Sequence, residues 1–215
     1  MKRIILTVMV CLPLMCMAQN TWEKPTSHVQ NNQEKKTLFQ IKKKTDDSKY
    51  LKGAIPLIDD KIVFTLDKDV PGKSASEIYD LVYQKIDSIT QSSNQMPESQ
   101  IAVVNKQEHI IAARLKEWLI FQNTALSLDR TEFSYTLIAN CTDNHLNLTM
   151  SRMSFAYEMD RDFINGIKGP AEEFIGDDIA LTKNGTKLAK YYGKFRKKTI
   201  DRKDNIFETI INALK

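Results

Sequence analysis

The chain has 215 residues, 42% apolar and 27% charged, and the part after about Leu51 can bury one ordinary core and is short for two domains. Its 31 Lys and Arg against 27 Asp and Glu leave a net charge of +4, and the +2 that remains without Lys2 and Arg3 is too weak to argue by itself for nucleic acid or an anionic membrane. Three cysteines are too few for a disulfide scaffold in a chain of this length.

The first segment has the three parts of a secretory signal in order. Lys2 and Arg3 give a positive start, Ile4 to Met15 an apolar stretch, and Cys16-Met17-Ala18 a small residue at the cut. The apolar run is shorter than the roughly 20 residues that a spanning helix needs, and Pro13 interrupts it. Residues 1–18 are therefore expected to be a cleaved signal peptide, and the mature chain to be exported to the periplasm or beyond, with no transmembrane helix. Lipid anchoring through Cys16 is the competing reading, disfavoured because Leu14 and Met15 before it are large. Cleavage removes Cys11 and Cys16, leaves Cys141 alone, and halves the charge surplus.

Residues 19–50 are polar, rich in Asn, Gln, Lys and Thr, and cannot bury enough surface to offset the entropy of ordering. They read as a flexible tether in which only Trp22 and Leu38-Phe39 could dock. A single domain is expected over 51–215.

Within it, Ile62, Phe64 and Leu66 alternate with polar neighbours as in a strand, and Val70-Pro71-Gly72 breaks the run. Ser74 stands three residues before Glu77, the spacing of a capping box. Ile78, Leu81, Val82, Ile86 and Ile89 then mark one apolar stripe of a helix ending near Thr90. Four strand-like runs follow with no helix between them. They are Ile101 to Asn105, Ile110 to Arg114 with an extension through Phe121, Phe133 to Cys141, and Leu146 onward after an Asp143-Asn144 turn. The apolar phase slips past Ser151, since Met153, Phe155 and Tyr157 now carry it, which predicts a bulge near Ser151-Arg152. Pro170 to Phe174 suggests a short helix, and Thr199 is placed as the cap of a final helix that buries Ile206, Phe207, Ile210, Ile211 and Leu214.

The order β-α-β-β-β-β-α predicts an α+β fold, a curved antiparallel sheet with two covering helices on one side (TBP-like or helix-grip). Several stretches point the same way. Tyr50-Leu51-Lys52-Gly53-Ala54-Ile55-Pro56, Gly72-Lys73-Ser74 with Glu77-Ile78-Tyr79, Glu117-Trp118-Leu119-Ile120-Phe121, Ala125 to Thr131 and Gly193 to Asp201 resemble a bacterial domain-of-unknown-function family. That family is assigned the TATA-binding-protein-like fold and occurs mainly in exported proteins. The resemblance spans about residues 50–215 and implies the fold; it implies no activity, so no catalytic residue follows from it.

The candidate chemistry is thin. Ser127, Asp129 and His145 are the right types for a hydrolase, but no nucleophile elbow or glycine-rich oxyanion loop accompanies them. His28, His109 and His145 share no ligand spacing, and Gly176-Asp177-Asp178 with Glu172 and Glu173 lacks the spacing of a calcium loop, so no metal and no cofactor is expected. A basic stretch that includes Lys194, Arg196, Lys197 and Lys198, interleaved with Tyr191, Tyr192 and Phe195, reads most simply as a loop whose aromatics pack on the sheet. Export disfavours nucleic acid as its partner. The more interesting surface is the face the helices leave open. There Ser134, Thr136, Asn140, Asn147, Thr149 and Ser151 would lie side by side, a neutral hydrogen-bonding surface suited to an envelope protein, a peptide or a glycan. A non-enzymatic binding or adaptor module of the cell envelope is the expectation. An enzyme with a dispersed site and a lipid-anchored structural protein are the alternatives.

Overall fold

Hydrophobic alternation over three long consecutive segments builds the frame. In the computed structural model, which describes residues 47–159 and 166–215, β5 (Ile110–Thr124), β6 (Ser127–Thr142) and β7 (His145–Tyr157) form an antiparallel meander. β3 (Phe64–Asp69) and β8 (Ile167–Pro170) pair side by side along the outer edge of β7, and β4 (Gln100–Asn105) pairs β5 on the other edge. The resulting six-stranded sheet is curved, antiparallel and unclosed. The expected signal peptide and the tether as far as residue 46 lie outside the described residues.

One face of the sheet carries the core. Ile111, Ala113 and Leu115 on β5, Phe133, Leu137 and Ala139 on β6, and Leu146, Leu148 and Met150 on β7 have no exposed surface. Two helices cover them, α1 (Ala75–Thr90) and α4 (Gly193–Ala213), supplying Ile78, Val82 and Ile86 from one and Phe195, Ile206 and Ile210 from the other. Cys141 is buried in this core, and burial pushes its thiol up to about 12, so it is an inert packing residue.

Local chemistry fixes the element ends. The capping box at α1 is complete: Glu77 N–H donates to Ser74 Oγ (3.3 Å), and Ser74 N–H donates to the Glu77 carboxylate (2.8 Å). The β6–β7 turn adds to it, since Ala75 N–H donates to Asp143 Oδ1 (2.8 Å) and Gly72 N–H to Asn144 Oδ1 (2.7 Å). Asn144 takes the left-handed conformation (φ 61°) that the two-residue hairpin turn requires. The predicted bulge is present. Thr136 faces Ser151 and Ser134 faces Ser154, so β7 spends one residue more than β6, with Arg152 at φ 53°.

Two features differ from the expectation. The first strand is divided: β1 (Leu57–Ile58) and β2 (Lys61–Ile62) make a separate hairpin through Asp59 and Asp60, both at positive φ, before β3 begins. The last helix starts at Gly193, and Thr199 lies buried inside it rather than capping it. Its apolar stripe runs back to Phe195, masked in the sequence by the lysines around it, and Gly193 allows close packing, since a Cβ there would stand 2.7 Å from that of Leu188. α2 (Glu172–Ile175) matches the short helix expected after Pro170, and α3 (Asp177–Ala180) follows it.

The packed structure also takes in Asp47 to Tyr50, which the sequence assigned to the tether. Tyr50 is 5% exposed, and its hydroxyl donates to Asp201 (2.6 Å). Arg196, with no exposed surface, donates to the carbonyls of Tyr50 (2.5 Å), Leu51 (2.6 Å) and Ile175 (2.8 Å) and pairs with Asp177 (2.7 Å). One planar guanidinium thus ties the start of the fold to α4 and to the α2–α3 corner.

Candidate functional site

The strand phase that buries odd-numbered residues of β5 and β6 turns the even-numbered ones to the uncovered face. Antiparallel register then sets them in rows. Asn140 lies between Asn147 and Ile110, Ile138 between Thr149 and Ala112, Thr136 between Ser151 and Arg114, and Ser134 between Ser154 and Lys116. β3 extends two rows, Thr65 beside Thr149 and Asp67 beside Asn147. The six residues singled out in the sequence, Ser134, Thr136, Asn140, Asn147, Thr149 and Ser151, therefore share one surface, all half-buried or exposed. Among the described residues none of the six side chains has a hydrogen-bond partner, so their hydroxyls and amides are available to a ligand. Charge on this face is mixed: Arg114, Lys116 and Arg130 share it with Asp67, Asp69 and Glu132.

A cavity of about 150 Å³ opens where β5 and β6 run past the end of β7, lined by Trp118, Leu128, Asp129, Arg130, Glu132, Ala156, Glu158 and Met159. The Arg130 guanidinium lies over the Trp118 ring at 3.7 Å, which holds it flat at the mouth. Two of the acidic groups are already engaged. Lys194 donates to Asp129 (2.8 Å), which also accepts from the Tyr157 hydroxyl (2.9 Å), and Lys116 pairs with Glu132 (3.0 Å) and Glu98 (3.3 Å). Glu132 first, then Glu98, holds the Lys116 ammonium above its ordinary range. Burial, and then the Asp129 carboxylate, raises the Tyr157 phenol, which remains a protonated donor.

The sequence missed this end of the face. The alternation of β5 was enough to turn Trp118 outward, opposite in phase to Leu115 and Leu119. Pairing it with Arg130 required the hairpin register, which the apolar tip around Leu126, 99% exposed, conceals.

The other candidates separate. Asp129 and His145 sit at opposite ends of β6 and β7, on the order of 40 Å apart at about 3.3 Å per residue, so Ser127, Asp129 and His145 form no triad. His145 lies between Asp67 (2.5 Å) and Asp69 (3.1 Å), and the Asp69 contact first, then Asp67, raises its imidazole. The four basic residues do not converge on one surface. Lys194 turns to Asp129 among aromatic rings, Arg196 is buried, Lys197 pairs with Asp47 (3.0 Å) over the Tyr50 ring, and Lys198 is half-buried. Among the described residues no group of three or more His, Cys, Asp or Glu side chains is placed to hold a metal ion, and no helix is long and apolar enough to cross a membrane.

Titratable side chains do converge inside the protein. Glu117 is fully buried on the core face; its Oε1 accepts from the Tyr135 hydroxyl (2.8 Å) and Arg202 Nε (2.7 Å), its Oε2 from Gln95 (2.8 Å) and Asn94. Every lone pair is taken, and the cluster fastens the loop after α1 and the middle of α4 to β5. Packed this way it serves architecture.

The comparisons with known proteins agree with this architecture. The family described as a domain of unknown function (DUF4468) with TBP-like fold matches residues 64–156. The crystal structure of a DUF4468 family protein from Bacteroides ovatus shares 34% identity and a TM-score of 0.72, covering 80% of this chain and 96% of that one. A TBP-like protein from Parabacteroides distasonis, 19% identical, superposes with a TM-score of 0.58 over 74% of this chain and 96% of its own, a likeness of fold. Among curated proteins none matches.

Proposed function

This chain belongs to the DUF4468 family with TBP-like fold, and from that premise we propose that it is an exported, non-enzymatic binding module of the cell envelope. Its ligand is an extended polar chain, a peptide or a glycan, laid across the uncovered face of the sheet. The observation that carries the reading is the row structure of that face: adjacent strands present Ser, Thr and Asn side chains with no partners among the described residues. A ligand with alternating donors and acceptors finds matching groups there. The Trp118–Arg130 shelf supports the same reading, because a flat aromatic with a planar donor suits a sugar ring or a peptide terminus.

Nucleic acid fits poorly. A phosphate backbone calls for a surplus of positive charge, and Asp67, Asp69 and Glu132 offset the cations on this face. Likeness to a fold that binds DNA elsewhere does not carry that function here.

The test is a titration of isotope-labelled protein with envelope glycan fragments and with a library of extended peptides, read by amide chemical shifts. Perturbations should fall on β6, β7 and the Trp118 shelf, and Thr136→Lys should abolish them while the melting temperature holds. Saturable shifts confined to the helices, or binding indifferent to Thr136→Lys, would sink the proposal.

A further inference from the structure

The acids that line the cavity at the end of the open face are engaged within the fold. Asp129 accepts from Lys194 (2.8 Å) and from the Tyr157 hydroxyl (2.9 Å), Glu132 pairs with Lys116 (3.0 Å), and Glu158 is engaged as well. Arg130 differs. It lies flat over the Trp118 ring, yet its guanidinium makes no hydrogen bond or ion pair among the described residues. Arg196 and Arg202, by contrast, are bonded inside the fold. Stacking fixes the plane of the Arg130 fork and leaves its N–H edge open. A partner with two coplanar acceptors therefore meets donors that are already oriented. Beside the fork the cavity wall turns apolar, with Leu128 44% exposed, Met159 52% and Ala156 half-buried.

We propose that this shelf is a carboxy-terminus site, at which Arg130 takes the terminal carboxylate of a peptide whose last side chain is apolar and enters the cavity. The inference rests on the reading that the open face binds an extended chain, and it assigns that chain as a peptide. A carboxylate is the planar group that a guanidinium fork matches with two parallel hydrogen bonds. Lys194 and Lys116 offset the Asp129 and Glu132 carboxylates beside it. An aliphatic or aromatic last residue removes the exposed apolar surface of Leu128 and Met159 from water. A sugar acid would instead set hydroxyls against those side chains, where they lose water and gain no partner. From Arg130 the peptide runs along β6 past Thr136 to Asn140, where side-chain hydroxyls and amides meet its backbone N–H and C=O groups. That path is about 33 Å at about 3.3 Å per residue, so the last ten or so residues of an extended peptide span the face.

The test is an amide and indole shift titration of the labelled protein, as the cell produces it, with peptides of about ten residues. Each is made as the free acid and as the carboxamide, with Leu or Asp as its last residue, and a uronic-acid oligosaccharide is run alongside. Free acids ending in Leu are expected to move the Trp118 indole signal and to bind about ten-fold tighter than their carboxamides or than peptides ending in Asp. Arg130→Gln should erase the preference for the free acid, and Arg130→Lys should keep only part of it. Both variants should hold the melting temperature, because Arg130 is exposed. Equal affinity for free acids and carboxamides overturns the carboxy-terminus site. So does an acid preference that survives Arg130→Gln, or an oligosaccharide that alone moves Trp118. Where β6 and β7 still shift in those cases, the open face stands as the binding surface without this site; where no probe moves β6, β7 or Trp118, both readings fall.

Discussion

Glu117 is a carboxylate without exposed surface on which four donors converge from α4, β6 and the loop after α1. Removing it would leave Arg202 facing an empty, partly desolvated site and would orphan Tyr135. Glu117→Ala should therefore cost about 3–5 kcal/mol in a urea unfolding experiment, far more than an exposed Glu; a loss under 1 kcal/mol would show that the network is incidental. His145 makes a smaller, pH-dependent contribution. Its raised pKa, set first by Asp69 and then by Asp67, means the folded state holds the proton more tightly than the unfolded chain does. The stabilisation is complete below the ordinary histidine value of roughly 6.5 and is lost as pH rises through the raised one. An NMR titration of the imidazole should show that elevation, and Asp69→Asn should lower it. Neither partnership was legible in the sequence. The phase of β5 places Glu117 inward with Leu115 and Leu119, but its donors lie 22, 23, 18 and 85 residues away, and no local pattern announces them.

α1 shows what a sequence states outright about an element. Ser74, Glu77 and the stripe from Ile78 to Ile89 are local signals, and the helix begins and ends where they say. Ser74→Ala should cost about 1 kcal/mol in the same unfolding experiment, since it strips the acceptor from one half of the capping box; an unchanged midpoint would mean the Asp143 contact caps the helix alone. The meander was equally readable, down to the bulge in β7, because strict alternation in a half-covered sheet has only one phase that buries the apolar set. α4 and β8 were harder. Lysines between Phe195 and Thr199 hide the first turns of α4, since Lys stems cover apolar surface while their heads reach solvent or a partner. β8, Ile-Lys-Gly-Pro, carries no strand signature and pairs only because β7 offers an edge there.

At the scale of the molecule the candidate face was legible and its boundaries were not. The six polar residues share a surface because alternation alone puts them there. The Trp118–Arg130 shelf and the charges on β3 depend on which strands end up adjacent, a matter of topology that periodicity leaves open. The same holds for the start of the fold, where a polar stretch ends in residues that α4 holds. A chain begun at Gly53 should unfold at a lower denaturant concentration than one begun at Asp47, because it lacks Tyr50 and two of the carbonyls that Arg196 binds; equal midpoints would make that contact superficial. The Arg196–Tyr50 bond spans 146 residues, and this separation has a consequence for biosynthesis. Among the described elements, α4, which grips the beginning of the fold, is synthesised after all the others. Until it emerges, the nascent chain cannot lock. For the exported role proposed above this order is useful, since the contact that closes the fold forms only after α4 is made.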